Sequence, residues 1–150
     1  MASLVTNRGK YHLLRQLRAV AAETNYYIAL GTNTTPPTVD TNTMADVSEI
    51  AAGTGYTSGG ISLTPGATDF DTYTENDTSD YAFVQLKDIV WTASGGSIPT
   101  SGLGARWAFL TDDNGTVSAR EIYVAWDLVS EVSVSDGQTL TLQDCEWRLT

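Results

Sequence analysis

The sequence predicts a mainly β fold, an antiparallel sandwich or jelly-roll-like domain with one amphipathic α-helix at its N-terminus. Three observations carry this. From residue 25 onward, short apolar runs alternate with clusters of Gly, Ser, Thr, Asn and Pro, the pattern of strands joined by turns. Only residues 7–22 repeat their apolar positions at a helical period. Residues 104–128 read as a central hairpin, with apolar runs at 106–110 and 121–128 flanking Asp112-Asp113-Asn114-Gly115. Asn-Gly favours a turn because both residues tolerate a positive φ. At 150 residues the chain is expected to be one domain, an N-terminal segment of 1–24 followed by a β body of 25–150. That length buries a core without cross-links.

In residues 7–22, Leu13, Leu14, Leu17, Val20 and Ala21 share one face at about 100° per residue, with Arg8, Arg15 and Arg18 opposite. Thr6 or Asn7 is placed to cap the start. The apolar face needs a cover, its own sheet being expected before a neighbouring subunit. Tyr11 and His12 border that face as packing residues. Residues 25–31 form a short strand. Residues 32–43 (TNTTPPTVDTNT) are too polar and Pro-rich for the centre of a sheet. They read as a surface excursion, either a plain connection or an arm lying on a neighbour. Residues 44–50 fit a helical turn or a short edge strand, and 53–60 (GTGYTSGG) a flexible, hinge-like stretch.

A strand at 61–63 leads into an acidic loop over 65–80. Residues 81–92 make a longer strand whose alternation slips by one near Ile89, the mark of a bulge or bend. Residues 93–104 form an exposed loop, and 129–138 a polar segment turning at Asp136-Gly137. Residues 139–149 close the chain as a strand, with Leu140, Leu142, Trp147 and Leu149 on one face. The tryptophans Trp91, Trp107, Trp126 and Trp147 lie in expected strands beside aliphatic residues. They read as core or subunit interface before sugar or nucleic-acid platforms.

Charge narrows the function classes. The net charge is -10, but Arg8, Lys10, Arg15 and Arg18 precede the first acid, Glu23. The rest of the chain sets 18 acids against the remaining 4 bases, and such a body repels phosphates, so no direct nucleic-acid partner is expected. A basic segment on an acidic body suits contact with an acidic surface, such as another copy of the chain. Arg8, Lys10, Arg15 and Arg18 are therefore the expected subunit-contact residues, the alternative being a solvated helix face. No run approaches the roughly 20 apolar residues of a membrane span, and no secretory signal is read at the N-terminus. The sequons at Asn33, Asn76 and Asn114 are accordingly not read as glycan sites.

Catalytic signals are weak. One histidine, His12, and one cysteine, Cys145, leave no His-rich metal site and no internal disulfide. Cys145 reads as a small buried apolar side chain. The glycines of 53–60 lack the Gly-Lys-Ser/Thr ending and following helix of a phosphate-binding loop. Asp69, Asp71, Glu75, Asp77 and Asp80 crowd together without the spacing of a helix-loop-helix calcium site. Asp69 and Asp71 suit a glycosidase acid–base pair only in principle. The expectation is no enzyme, no cofactor and no bound metal.

Four stretches carry a likeness: NRGKYHLLRQLRAVA at the start, then residues 25–64 with IALGT and TPPTVDTNT, then VQLKDIVWTASGGSIPTSGLGARWAFLTDDN, and VSDGQTLTLQDCEWRL at the end. Together they resemble a group of small virion structural proteins of tailed bacteriophages. The likeness spans nearly the whole chain, with its weight on IALGT…TPPTVDTNT and SDGQTLTLQ. It implies a setting, and no catalytic residues. Members are described as capsid cement or decoration proteins, minor head proteins, or tail and adhesin components. The resemblance therefore implies a cement protein on the capsid surface, assembled in the host cytoplasm, homo-oligomeric, and bound to the major capsid protein or other virion proteins. The alternatives are a tail, head-tail or fibre-attachment component and, more remotely, a glycan-binding or glycan-cleaving protein.

Overall fold

The computed structural model describes residues 3–17 and 23–149, with side chains from 14 to 17 left aside. The fold is mainly β and sandwich-like with one N-terminal helix, as the sequence predicts. Its centre is a five-stranded sheet. The strands are β1 (Ser3–Val5), β2 (Tyr26–Gly31), β3 (Ile61–Leu63), β7 (Ala105–Thr111) and β8 (Ile122–Val132), in the order β1-β8-β7-β2-β3. Every described pairing within it is antiparallel. Strands β7 and β8 are the expected central hairpin, and β8 runs four residues further than the sequence pattern predicts, to Val132.

The Asn-Gly expectation fails in detail. Neither Asn114 nor Gly115 has a positive φ. The connection is too wide to need a tight two-residue turn, and polar side chains shape it instead. The Asp112 carboxylate accepts the Glu121 N–H at 3.0 Å, and Asn114 Oδ1 accepts the Thr116 N–H at 3.0 Å.

The strands at the middle of this sheet are buried on both faces. Ile28, Leu30, Ala108, Leu110, Val124 and Trp126 point into the main core, while Ala29, Phe109 and Ala125 point the other way. A register shift beside Thr111 lets consecutive residues Tyr123 and Val124 both serve the main core, the use a bulge allows. Each face needs its own cover.

A bent ribbon covers the main core. Residues 81–92 and 139–149, each expected as one strand, are each two: β5 (Tyr81–Gln85) and β6 (Ile89–Thr92), β9 (Thr139–Leu142) and β10 (Glu146–Leu149). β6 pairs with β9 and β5 with β10, so both strands bend at the same level. Leu86 donates its N–H to the Cys145 carbonyl at 2.9 Å across the bend, and Asp144 takes φ 54 to turn the corner. The phase slip near Ile89 announced this corner. The single strand expected over 139–149 misses its counterpart, although Leu142 and Trp147 stand five residues apart, an odd spacing that two apolar positions on one face of an unbroken strand do not have. The expected acidic loop is partly a strand, β4 (Thr72–Asn76), which extends the outer sheet in the order β10-β5-β4.

The second face is covered by the excursion after β2. Residues 44–50 begin with a helical turn, Met44–Asp46, and Met44 and Val47 pack on Phe109 and Ala125. The Asp46 carboxylate holds that turn by accepting the Asn42 and Thr43 N–H groups. Residues 32–43 are fastened to their own body: Thr32 N–H bonds Ser48 O, and Ile122 N–H bonds Asn42 O. Residues 93–104 are likewise tied down, Ile98 and Val134 exchanging two 2.9 Å backbone bonds. Neither behaves as a free arm within this chain.

Helix α1 (Asn7–Leu17) lies on its own sheet. Thr6 caps it, its Oγ1 accepting the Gly9 N–H at 3.0 Å while its own N–H bonds Tyr123 O. The continuation expected over 18–22 lies outside the described residues. Where the helix crosses β8, Gly9 presses so close that a Cβ there would sit 2.2 Å from Tyr123 O.

Two predictions follow from this packing. A Gly→Ala change inside a helix usually helps by about 1 kcal/mol, yet Gly9→Ala should cost about 1–3 kcal/mol through overpacking, read as a lower urea midpoint. Val129, 78% exposed with φ 70, is a β-branched residue in the left-handed region, at a cost on the order of 1–3 kcal/mol. Val129→Gly should therefore raise the melting temperature. An unchanged or lower value would mean that the strain is absent in solution.

Candidate functional site

The surface feature that stands apart is an open apolar groove between α1 and the outer β4-β5-β10 sheet, about 360 Å³ in volume. Its floor follows from strand register. Tyr73, Val84 and Trp147 lie in one cross-strand row, and Ala82 and Leu149 in the next. Leu13 of α1, Tyr26 and Phe70 line it as well. Tyr73 is 85% exposed and Leu149 43% exposed, so large apolar groups stand open to water at the mouth. An exposed apolar surface of this kind marks an interaction site more often than an accident of packing.

Behind the groove sits an aromatic cluster with polar groups inside it. The His12 ring stacks on Tyr123 at 4.3 Å and meets Tyr26 edge-on at 5.9 Å. His12 Nε2 is 3.0 Å from the Tyr26 hydroxyl, and Nδ1 is 3.5 Å from Glu23 Oε1. The Tyr123 hydroxyl donates to the same carboxylate at 3.0 Å. Burial with Glu23 nearby pushes the Tyr26 phenol up to about 12 and raises Tyr123 further. His12 is buried against its own sheet, the packing role expected of it. Tyr11 is 52% exposed, with Arg8 5.8 Å from its ring centre.

The expected subunit-contact residues are placed as follows. Arg8 is part-exposed and 3.5 Å from Glu121 within the same chain. Lys10 is exposed and forms no ion pair among the described residues. The side chain of Arg15 and the whole of Arg18 lie outside the described residues.

Most other polar candidates serve the fold. Tyr56 OH, Ser58 Oγ and the Gly59 N–H all donate to the Glu49 carboxylate. The glycine-rich 53–60 stretch is thus a nest already filled by an anion of this chain, with buried Tyr56 as its anchor. Arg120, buried and unremarked in the sequence, donates to Gly59 O and Asn114 O at 2.9 Å each and stacks on Tyr27 at 3.7 Å. Only folding brings its partners together, so no local signal pointed to it.

Asp69 is buried beside Lys87 and also accepts the Thr64 N–H at 2.7 Å, while Asp71 stands in water. The candidate carboxylate pair is thereby split. Asp71, Glu75, Asp77 and Asp80 are exposed, and among the described residues no group of three or more His, Cys, Asp or Glu is placed to hold a metal. Trp91, Trp126 and Trp147 are core residues and Trp107 is part-buried over the second cluster. Cys145 is buried, and burial pushes its thiol up to about 12. Among the described residues no helix is long and apolar enough to cross a membrane.

No protein-family model, no curated protein and no solved structure matches the chain.

The Lys87 ammonium and the Thr64 amide hold the Asp69 carboxyl below the usual range. Its contribution is complete above the unfolded value of about 4 and is lost as pH falls through that value toward the folded one. Asp69→Asn should lower stability at neutral pH by about 1–2 kcal/mol. It should also flatten the loss between about pH 5 and pH 3. Acid titration of the denaturation midpoint checks both, and parallel pH curves for the two proteins would count against the ion pair.

Proposed function

We propose that this chain is a structural protein of a tailed-bacteriophage virion, of the cement or decoration kind, bridging major capsid subunits at the shell surface. The resemblance of nearly the whole sequence supplies the setting. From the structure, one observation supports the reading: buried charged groups are committed to internal ties, while an apolar groove headed by Tyr73 is left open. A body closed by its own hydrogen bonds and presenting one adhesive face suits a part that clamps neighbours. Modest contacts suffice for such a part, because repeated copies add through avidity.

The counterpart of this reading is a tail or fibre-attachment component, and copy number separates the two. Quantitative mass spectrometry of purified virions should find hundreds of copies per particle for cement and a dozen or fewer for a tail part. Particles stripped of the protein should lose resistance to heat and osmotic shock. Intact resistance, or virions without the polypeptide, would reject the role.

Lys10 is exposed and has no ion pair among the described residues, so Lys10→Glu should weaken binding to stripped shells severalfold and reduce its salt dependence. Unchanged binding would place Lys10 in solvent. Arg8→Glu should in addition lower the stability of the isolated protein, since it sets two carboxylates together at Glu121.

A further inference from the structure

We propose that the free edge of β4 and the adjoining groove receive an extended segment of a different polypeptide, alternately apolar and basic, which adds to the outer sheet as a further strand. β4 ends the order β10-β5-β4. Among the described residues, the backbone of 72–75 bonds only to β5. Every second residue of such a strand turns its N–H and C=O outward, and these outward groups are a template for another chain. An added strand gains affinity from main-chain hydrogen bonds and specificity from alternate side chains. The groove supplies the place for those alternate side chains. Tyr73, Val84 and Trp147 form a row running inward from the edge, so apolar groups of the added strand would lie over Tyr73 and against Phe70 and Leu13.

Charge decides the occupant. Asp71 and Glu75 flank Tyr73, and Asp77 and Asp80 lie in the turn that follows. All four are exposed, and none has an ion pair among the described residues. A second copy would bring four more acids to the same edge. It would also carry the same excess of negative charge, net -10. Among the described residues its cations are committed: Arg8 to Glu121, Lys87 to Asp69, Arg106 to Asp127, Arg148 to Glu146, and Arg120 to backbone carbonyls. Only Lys10 remains. Acids along an edge discourage pairing between identical copies and favour a cationic partner. This docking mode holds whether or not the chain belongs to a virion.

The test uses two synthetic peptides of equal length, one alternating lysine with valine and one alternating glutamate with valine. The intact protein should bind the lysine peptide, at least about tenfold more tightly than the glutamate peptide, with binding weakened by salt. Amide hydrogen exchange should slow along β4 and not along β3, an edge strand of the central sheet. The charge-swapped protein Asp71→Lys/Glu75→Lys should reverse the preference. If that variant fails to fold, the peptide comparison and the exchange map on the unaltered protein still decide. Equal binding of both peptides, protection elsewhere, or no binding by either would overturn the proposal. So would a concentration-dependent dimer whose exchange protection falls on β4, since the edge would then belong to a second copy.

Discussion

The constraint on which the architecture depends is the burial of β8 on both faces. Its first five residues, Ile122 to Trp126, are all at most 1% exposed. Alternate side chains of a strand point to opposite faces, so a strand buried throughout needs a cover on each side. Burying a large apolar side chain contributes about 1.5–3 kcal/mol, and all but Ala125 of these five are large, so uncovering either face is costly. The bent ribbon answers one face, and Met44, Val47 and Leu4 answer the other. The helix cap at Thr6, the contact of Gly9 with Tyr123, and the Trp126 indole donating to Glu146 O at 2.9 Å all fasten to the same strand. Most of the chain is arranged with respect to it.

The polar chemistry is turned inward by the same closure. Glu49 gathers three donors from the glycine-rich turn, Arg120 clamps that turn to the loop between β7 and β8, and Asp69 takes Lys87 and a backbone amide. Buried polar groups without partners are costly, and these networks satisfy theirs. Their effect is to stiffen loops that the sequence suggests are loose. Gly60 contributes by having no side chain: a Cβ there would lie 1.7 Å from Ile28 O, and its φ of +76 suits glycine. Among the described residues, an acidic surface and an apolar groove at the end of the outer sheet are left facing outward.

The groove was hidden in the sequence because its parts come from separate segments. Leu13, Tyr73, Val84 and Trp147 are far apart along the chain and share no local pattern. Trp147 was legible as an apolar strand residue, and that much holds. That it floors a groove depends on the bend at Gln143–Cys145, which swings β10 out of line with β9. Tyr73 sits among acids and threonines in a stretch that reads as loop, and it is a strand residue only because β5 is there to pair with it. Arg120 and Glu49 escaped notice for the same reason, since their partners are brought near by folding.

The sequence by itself determined the β class, the single helix with a cap at Thr6 or Asn7, the central hairpin, the corner near Ile89, and the buried roles of His12, Cys145 and three of the tryptophans. These rest on local periodicity and side-chain chemistry, which a linear reading carries. Only the tertiary structure decided that both terminal-half strands break at one level, that the excursion after β2 closes on its own sheet, and that β4 is left as an open edge. The physical reason is that hydrogen-bond partners across a sheet and covers over a buried face are chosen between distant segments, and no stretch of sequence contains both sides of that choice.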